Sequence, residues 1–317
     1  MFDKSLFENT TLCVVGNINR DIKTAPFPPG DYLFHDGETS VSSILETVGG
    51  GGANSAFAAA YLGARTAFLG KVGMDALGDR LEQTLTGHSI SPHLARDKTP
   101  TGTSINLTFA NGHRHFISCL ANNEALRMED LDLKAFAGHR HLLRADIWFS
   151  ESMLWGGNER LFQAAHEAGL EISIDLNWDP QWGRGESERI RARKEAVRSL
   201  LKWVILAHGN VRELNEFTDS PDLKTSLQRL EEWGAKAVVV HLGAEGAGYY
   251  QQGAMVVELA VPAGARVNTT GTGDVLSTCM MLLSQRPELS IQTQLKMANM
   301  IVSEFIAGKH HLIPVIS

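Results

Sequence analysis

The sequence predicts an α/β protein: a central, mostly parallel sheet with helices on both faces, and a small second sheet set apart from it. Three observations carry this expectation. Short apolar, β-branched runs alternate with helix-patterned stretches, the signature of a parallel sheet covered on both sides. Several of those runs end in Gly or in polar side chains, at the sheet edge where ligands meet such folds. One stretch, residues 99–120, instead alternates apolar and polar residues around Asn111-Gly112, a hairpin signal that interrupts the βα rhythm.

Composition narrows the function. The chain has 317 residues, 43% hydrophobic and 21% charged, ordinary for a soluble globular protein with a large core. A formal net charge of -7 argues against a sequence-blind nucleic-acid binder. Cys13, Cys119 and Cys279 lie far apart with no metal-ligand spacing, which suits a reducing compartment. There is neither a signal-peptide pattern nor an apolar run long enough to span a bilayer, so a cytoplasmic protein without a membrane partner is expected.

Taken in order, Thr11–Gly16 reads as a buried first strand, followed by the polar group Asn17-Ile-Asn19-Arg-Asp21. Asn19 and Asp21 suit sugar hydroxyls, and they suit an Asx-rich turn equally. Residues 24–46, with Pro26, Pro28 and Pro29, read as extended structure outside the main sheet. Gly49-Gly50-Gly51-Gly52-Ala-Asn54 opens an Ala-rich helix; it is a binding loop or a tight helix start, but no Lys-Ser/Thr follows as in a phosphate-binding Walker loop. Thr66–Gly70 reads as the second strand, with a helix from about Gly73 to Leu85. Further strands are expected at Asp146–Phe149, Glu171–Asp175, Trp203–Leu206 and Ala237–Val240. Helices are expected at about 158–168, 186–201 and 222–233, a hairpin over Tyr249–Leu259, and two closing helices near 274–285 and 290–307.

Four places could carry chemistry. Asp175-Leu-Asn177-Trp178 ends a strand, and Trp178 and Trp182 could wall a pocket or simply fill core. Asn210 and Glu213 share a helix face, as oxygen donors for Mg²⁺ or as a capping box. Leu242-Gly243-Ala-Glu-Gly246 ends a strand as a nucleotide platform or a turn. Gly271-Thr272-Gly273-Asp274 opens a helix, where uncovered N–H groups and the helix dipole favour an anion beside a carboxylate. Such a pairing suits phosphoryl transfer, and a plain Gly-rich turn explains it too. His139, His141, His310 and His311 read as solvated, and the basic run Arg184–Lys194 as an exposed helix face.

In this order the motifs resemble the ribokinase-like, phosphofructokinase-B family of sugar kinases, from about residue 11 to the C-terminus. Asn17–Asp21 resembles the family's first substrate loop. Gly49–Asn54, continued through Gly70–Gly78, resembles its first signature; Asn210-Val-Arg-Glu213 resembles its Asn-x-x-Glu motif; and Asn268–Asp274 resembles its second signature. The resemblance implies one ribokinase-like domain over 1–317, with a β-lid from about 20–46 and 100–120. It implies an ATP-dependent kinase acting on a hydroxyl of a sugar or sugar acid. By position, Asp274 would be the catalytic base, with an anion hole at Gly271, Thr272 and Gly273. Asn19, Asp21, Gly50, Gly51, Asn54 and Asn177 would meet the substrate. Asn210, His241, Gly243 and Gly246 would meet ATP, and Glu213 would organise Mg²⁺.

The departures from the family pattern set further expectations. Asn268 replaces an Asp that helps a monovalent-cation site in many members, so no K⁺ dependence is expected. Thr272 replaces Ala, His241 replaces Thr, and Gly51 replaces the Lys of ribokinases proper, which argues against ribose. A nucleoside kinase, or a weakly catalytic sugar or nucleotide sensor, is the alternative. A one-sided lid sheet often pairs with another copy, which makes a homodimer through the lid a candidate assembly.

Overall fold

The structure is a computed structural model, and it describes residues 4–264, 271–310 and 312–316. A central sheet runs in the order β13-β12-β11-β10-β9-β8-β1-β4-β5. Its parallel part comprises β1 (Thr11–Val15), β4 (Arg65–Gly73), β5 (Ile90–Asp97), β8 (His141–Arg144), β9 (Glu171–Asp175), β10 (Leu206–Asn210) and β11 (Val238–His241). An antiparallel hairpin of β12 (Ala247–Gln251) and β13 (Ala254–Glu258) extends one edge.

Side chains alternate across this sheet, so each strand feeds two cores. Leu12, Val14 and Leu143 pack on one face; Cys13, Val15 and Leu142 pack on the other. The first face is covered by α1 (Gly51–Leu62), α2 (Ala76–Gly87), α8 (Thr272–Leu283) and α9 (Ile291–Ile306). The second is covered by α4 (Asn158–Glu167), α5 (Ser187–Arg198), α6 (Val211–Thr218) and α7 (Leu223–Glu232), while the short α3 (Ala121–Glu124) packs by β4. Among the described residues, no helix is long and apolar enough to cross a membrane.

The second sheet has the order β3-β2-β6-β7, from β2 (Asn19–Thr24), β3 (Ile44–Gly49), β6 (Thr103–Thr108) and β7 (Arg114–Cys119). The expected hairpin is its β6–β7 pair. The extended segment contributes β2 and β3, and β3 runs on to Gly49, into the glycine loop. The C-terminal segment joins its edge, where the Val48 N–H donates to the Pro314 carbonyl at 3.1 Å.

The structure moves two expected strands. The strand expected at Asp146–Phe149 is β8, His141–Arg144, while Asp146–Phe149 form the turn after it. Its ends carry His141 and Arg144, read as polar yet 0% and 1% exposed. The Arg144 guanidinium is satisfied inside, with Nε donating to Asn158 Oδ1 at 2.8 Å. The strand expected at Trp203–Leu206 is β10, Leu206–Asn210, which hides a fully buried His208. The reading also passed over β5, an edge strand that tolerates Pro92.

Candidate functional site at the carboxyl edge of the sheet

The loops after β1, β8, β9, β10 and β11 meet the N-termini of α1 and α8 at one edge. Asp274 stands in the first turn of α8, where Asn54 of α1 donates Nδ2–H to its Oδ2 at 2.7 Å. Burial raises the Asp274 carboxyl to about 7, with Asp146, Glu213 and Asp21 adding repulsion and the Asn54 bond opposing the rise.

The mouth of α8 lacks a side-chain cap, and Gly271 enters it in the left-handed region, at φ 83°. The first N–H groups of a helix have no partner within the helix, and together with the helix dipole they favour an anion at such a mouth. A side chain at Gly273 would start 3.1 Å from His241 Nδ1, so glycine keeps His241 close to this mouth. His241 is pushed down to about 4 by burial and its Nε2 pairs with Ser277 Oγ at 3.0 Å, so the ring is neutral at physiological pH.

On one side of Asp274 lie the residues read as substrate contacts. Asn19 Nδ2 donates to Asp21 Oδ1 at 2.7 Å, and both are buried on β2. Gly50 has φ 98°, and a Cβ there would lie 2.3 Å from the Asn17 carbonyl oxygen, so the loop demands glycine at this point. Asn177 Nδ2 donates to Asp146 Oδ1 at 3.3 Å.

Asp146 is the residue that sequence reasoning missed. Its carboxylate accepts N–H groups from Asn17 at 2.9 Å, Gly51 at 3.2 Å and Gly52 at 2.8 Å. It therefore ties the loop after β1, the glycine loop and the loop after β9 into one cradle. Asp175 ends β9 at the same edge. Burial and the charges of Asp274, Glu213 and Asp146 raise its carboxyl well above the ordinary range.

On the other side, His241, Gly243, Gly246, Thr272 and Gly273 line one cavity of about 370 Å³, with apolar walls from Leu276, Val302 and Ile306. That size and lining fit a heterocycle with a polar end. Asn210 ends β10 in register with His241. With Glu213 it forms a full capping box: the Asn210 N–H donates to Glu213 Oε2 at 2.8 Å, and the Glu213 N–H donates to Asn210 Oδ1 at 3.0 Å. The structural alternative for this pair is thus realised, and Glu213 still has a carboxyl raised by burial at the same edge.

Among the described residues, no group of three or more His, Cys, Asp or Glu side chains could hold a metal ion. An edge where Asp175 and Asp274 feel each other and both feel Asp146 and Glu213 nevertheless suits a divalent cation that arrives with its own phosphate and water ligands. Asn268 lies outside the described residues.

The structure settles Trp182 between the two roles open to it and corrects the solvated reading of two histidines and two basic residues. Trp182 is core, 3% exposed against Trp148, while Trp178 stacks under Arg212 at 3.9 Å. His141 is buried and bonded to Ser173 at 2.6 Å, and His310 is 9% exposed and paired with Glu304 at 2.6 Å; neither is solvated. Within the basic run, Arg193 is 2% exposed, with Nε donating to Asp179 Oδ2 at 2.7 Å, and Lys194 reaches Asp219 at 2.6 Å.

The family model described as pfkB family carbohydrate kinase matches residues 9–297. A ribokinase of Arabidopsis thaliana is 27% identical over 282 residues, 84% of this chain and 68% of its own length. A fructokinase of Klebsiella pneumoniae is 27% identical over 251 residues, 76% of this chain and 77% of its own. The solved Arabidopsis thaliana ribokinase complexed with ribose and ATP superposes with a TM-score of 0.71 at 22% identity, covering 96% of this chain and 94% of that one.

Proposed function

From the premise that this chain belongs to the pfkB family of carbohydrate kinases, phosphotransferases with an alcohol acceptor, we propose that it transfers the terminal phosphoryl group of ATP to a hydroxyl of a small sugar or sugar acid, with Asp274 as base. The observation that carries this reading is the placement of Asp274. It is an acid raised to about 7, hydrogen-bonded to Asn54, between a cradle of polar residues and an uncapped helix mouth.

Asp274 takes the hydroxyl proton while that oxygen bonds the terminal phosphorus and the bond to ADP breaks. The N–H groups of Gly271, Thr272 and Gly273 meet the charge on the transferring group. Asn19, Asp21, Gly50, Gly51, Asn54 and Asn177 line the acceptor side, and Asp146 holds their loops in register. His241, Gly243 and Gly246 face the nucleotide, with Asn210 beside them on β10. Mg²⁺, when bound, neutralises phosphate charge. Glu213 would hold it through its water, since one carboxylate oxygen already serves the helix cap.

Coupled ADP release over a panel of sugars, sugar acids and nucleosides, at saturating Mg-ATP, tests the reading. Turnover on sugars or sugar acids supports it, turnover on nucleosides alone favours the nucleoside kinase, and tight binding without turnover favours the sensor. The rate should also carry the signature of its base. With Asp274 titrating near 7 in the free enzyme, kcat/KM for the acceptor should fall tenfold per pH unit on the acid side of that value. Asn54→Leu removes the bond that favours the ionised form, so its acid limb should move to higher pH. A limb unmoved by this change would refute the role given to Asn54.

We also propose a homodimer through the lid. Its outer face presents a row of Ile22, Ile105 and Ile117 in register across three strands, with Ile105 38% and Ile117 55% exposed. A twin lid would cover this row. Sedimentation should give a dimer for the parent and a monomer for Ile117→Lys; two monomers would count against the lid interface.

A further inference from the structure

The inner face of the lid sheet carries a group of buried polar side chains, and these point to the kind of substrate it covers. Its outer face carries the isoleucine row beside Arg20 and Glu46, while Asp21, Lys23, Thr47, Ser104 and Asn106 share the inner face with Leu45 and Phe116. Between that face and the C-terminal segment lies a cavity of about 670 Å³, lined by Lys23, Thr47, Asn106 and Arg114. Ile313 also lines it, and the same Ile313 packs against Gly271 at the mouth of α8, so the cavity opens beside the proposed site of transfer.

The lining is built for a ligand. Asn106 is 1% exposed and Thr47 is 5% exposed. Asn106 Oδ1 and Thr47 Oγ1 are buried without a hydrogen-bond partner among the described residues. Buried polar atoms are rarely left so, because an unmet bond destabilises the fold. Lys23 is half-buried, and its side chain makes no hydrogen bond or ion pair among the described residues. The chain treats its other shielded lysines differently. Lys71 bonds Asp97 at 2.7 Å and Asp130 at 3.0 Å, and Lys194 bonds Glu216 at 3.0 Å and Asp219 at 2.6 Å.

The charges around Lys23 are few. Asp21, two residues along β2, already accepts from Asn19. Arg114 adds a second cation, and His310 is taken by Glu304. Glu46 lies on the outer face with Arg20, 3.6 Å away. A shielded lysine whose side chain meets no acid among the described residues, inside a chain of net charge -7, selects for an anion.

We propose that Lys23 binds an anionic end of the acceptor, a carboxylate or a phosphate, while the opposite end offers its hydroxyl to Asp274. This rests on the kinase reading of the site and specifies its substrate class. The strand rise places Lys23 about 6.5 Å beyond Asp21, a sugar's length. Asn106 Oδ1 and Thr47 Oγ1 then bond the hydroxyls between.

The test is calorimetric binding, independent of turnover, on the full chain. Aldonates, keto-aldonates and sugar phosphates are each titrated beside their neutral parent sugar into the parent protein, Lys23→Met and Lys23→Arg. The parent should bind at least one acid about tenfold or more tightly than its neutral counterpart. Lys23→Met should lose that preference with neutral binding unchanged, and Lys23→Arg should keep most of it. Which acid binds separates a carboxylate site from a phosphate site. No acid preference anywhere in the panel, or a preference that survives Lys23→Met, overturns the proposal. If Lys23→Met does not fold, the parent's own ratio and Lys23→Arg decide. Turnover on neutral sugars without acid preference would leave the kinase reading standing and this one refuted; acid binding without turnover would do the reverse.

Discussion

Asp274→Asn should lower kcat by about 10³-fold or more while making the protein more stable at neutral and alkaline pH. The first effect follows from losing the only carboxylate in the first turn of α8. The second follows from linkage. In the folded protein this carboxyl is raised from 3.8 to about 7, so the protonated form is favoured and stability is lost as pH rises across that interval. Asn cannot ionise and still meets Asn54. The variant should gain about 1–3 kcal/mol above pH 7, less than the full shift implies because the carboxyl opens on the cleft, and nothing near pH 4. Thermal melts at the two pH values, beside turnover on the best acceptor, check both halves. A variant that is inactive because it is unfolded would show the opposite melt.

Asp146→Ala should be the most damaging single change outside the transfer residues. Its carboxylate holds N–H groups from Asn17, Gly51 and Gly52, and the Asn177 side chain. Removing it strands buried donors at about 1–3 kcal/mol each, so a loss of roughly 3–6 kcal/mol is expected. The three loops lose their common anchor, and acceptor affinity should fall at least as steeply as stability. Asp146→Asn keeps one acceptor oxygen and should lie between the two. Urea denaturation and acceptor calorimetry measure the two effects. An Asp146→Ala protein with parental affinity would mean that the cradle is held by other contacts.

How much of this was legible in the sequence depends on how local each signal is. The mouth of α8 and the Asn210–Glu213 pair are short-range features: a glycine turn before an apolar helix, and two polar residues three apart. They could be read from their own neighbours. Asp146 could not, because its partners are 94, 95 and 129 residues away and nothing beside it in the chain announces them. The same blindness misplaced β8 and β10. Each contains polar residues, His141, Arg144 and His208, that the fold buries and that periodicity counts as surface. Arg193 and Lys194 were read as solvated because they stand in a charged run. Their partners Asp179 and Asp219 reach them only through packing. The hairpin of the second sheet is visible, but the buried polar group on its inner face needs the register of all four strands, since alternation alone does not say which side faces the cavity.

The central claim is that the phosphoryl group passes to a hydroxyl of the acceptor under the control of Asp274. Phosphorus NMR of the reaction with Mg-ATP and the best panel acceptor tests it most directly, comparing the parent with Asp274→Asn. The account predicts a new phosphomonoester resonance that grows in step with ADP in the parent and is nearly absent from the variant over the same time. Inorganic phosphate as the only product from every acceptor, or equal phosphomonoester formation by both proteins, would contradict it.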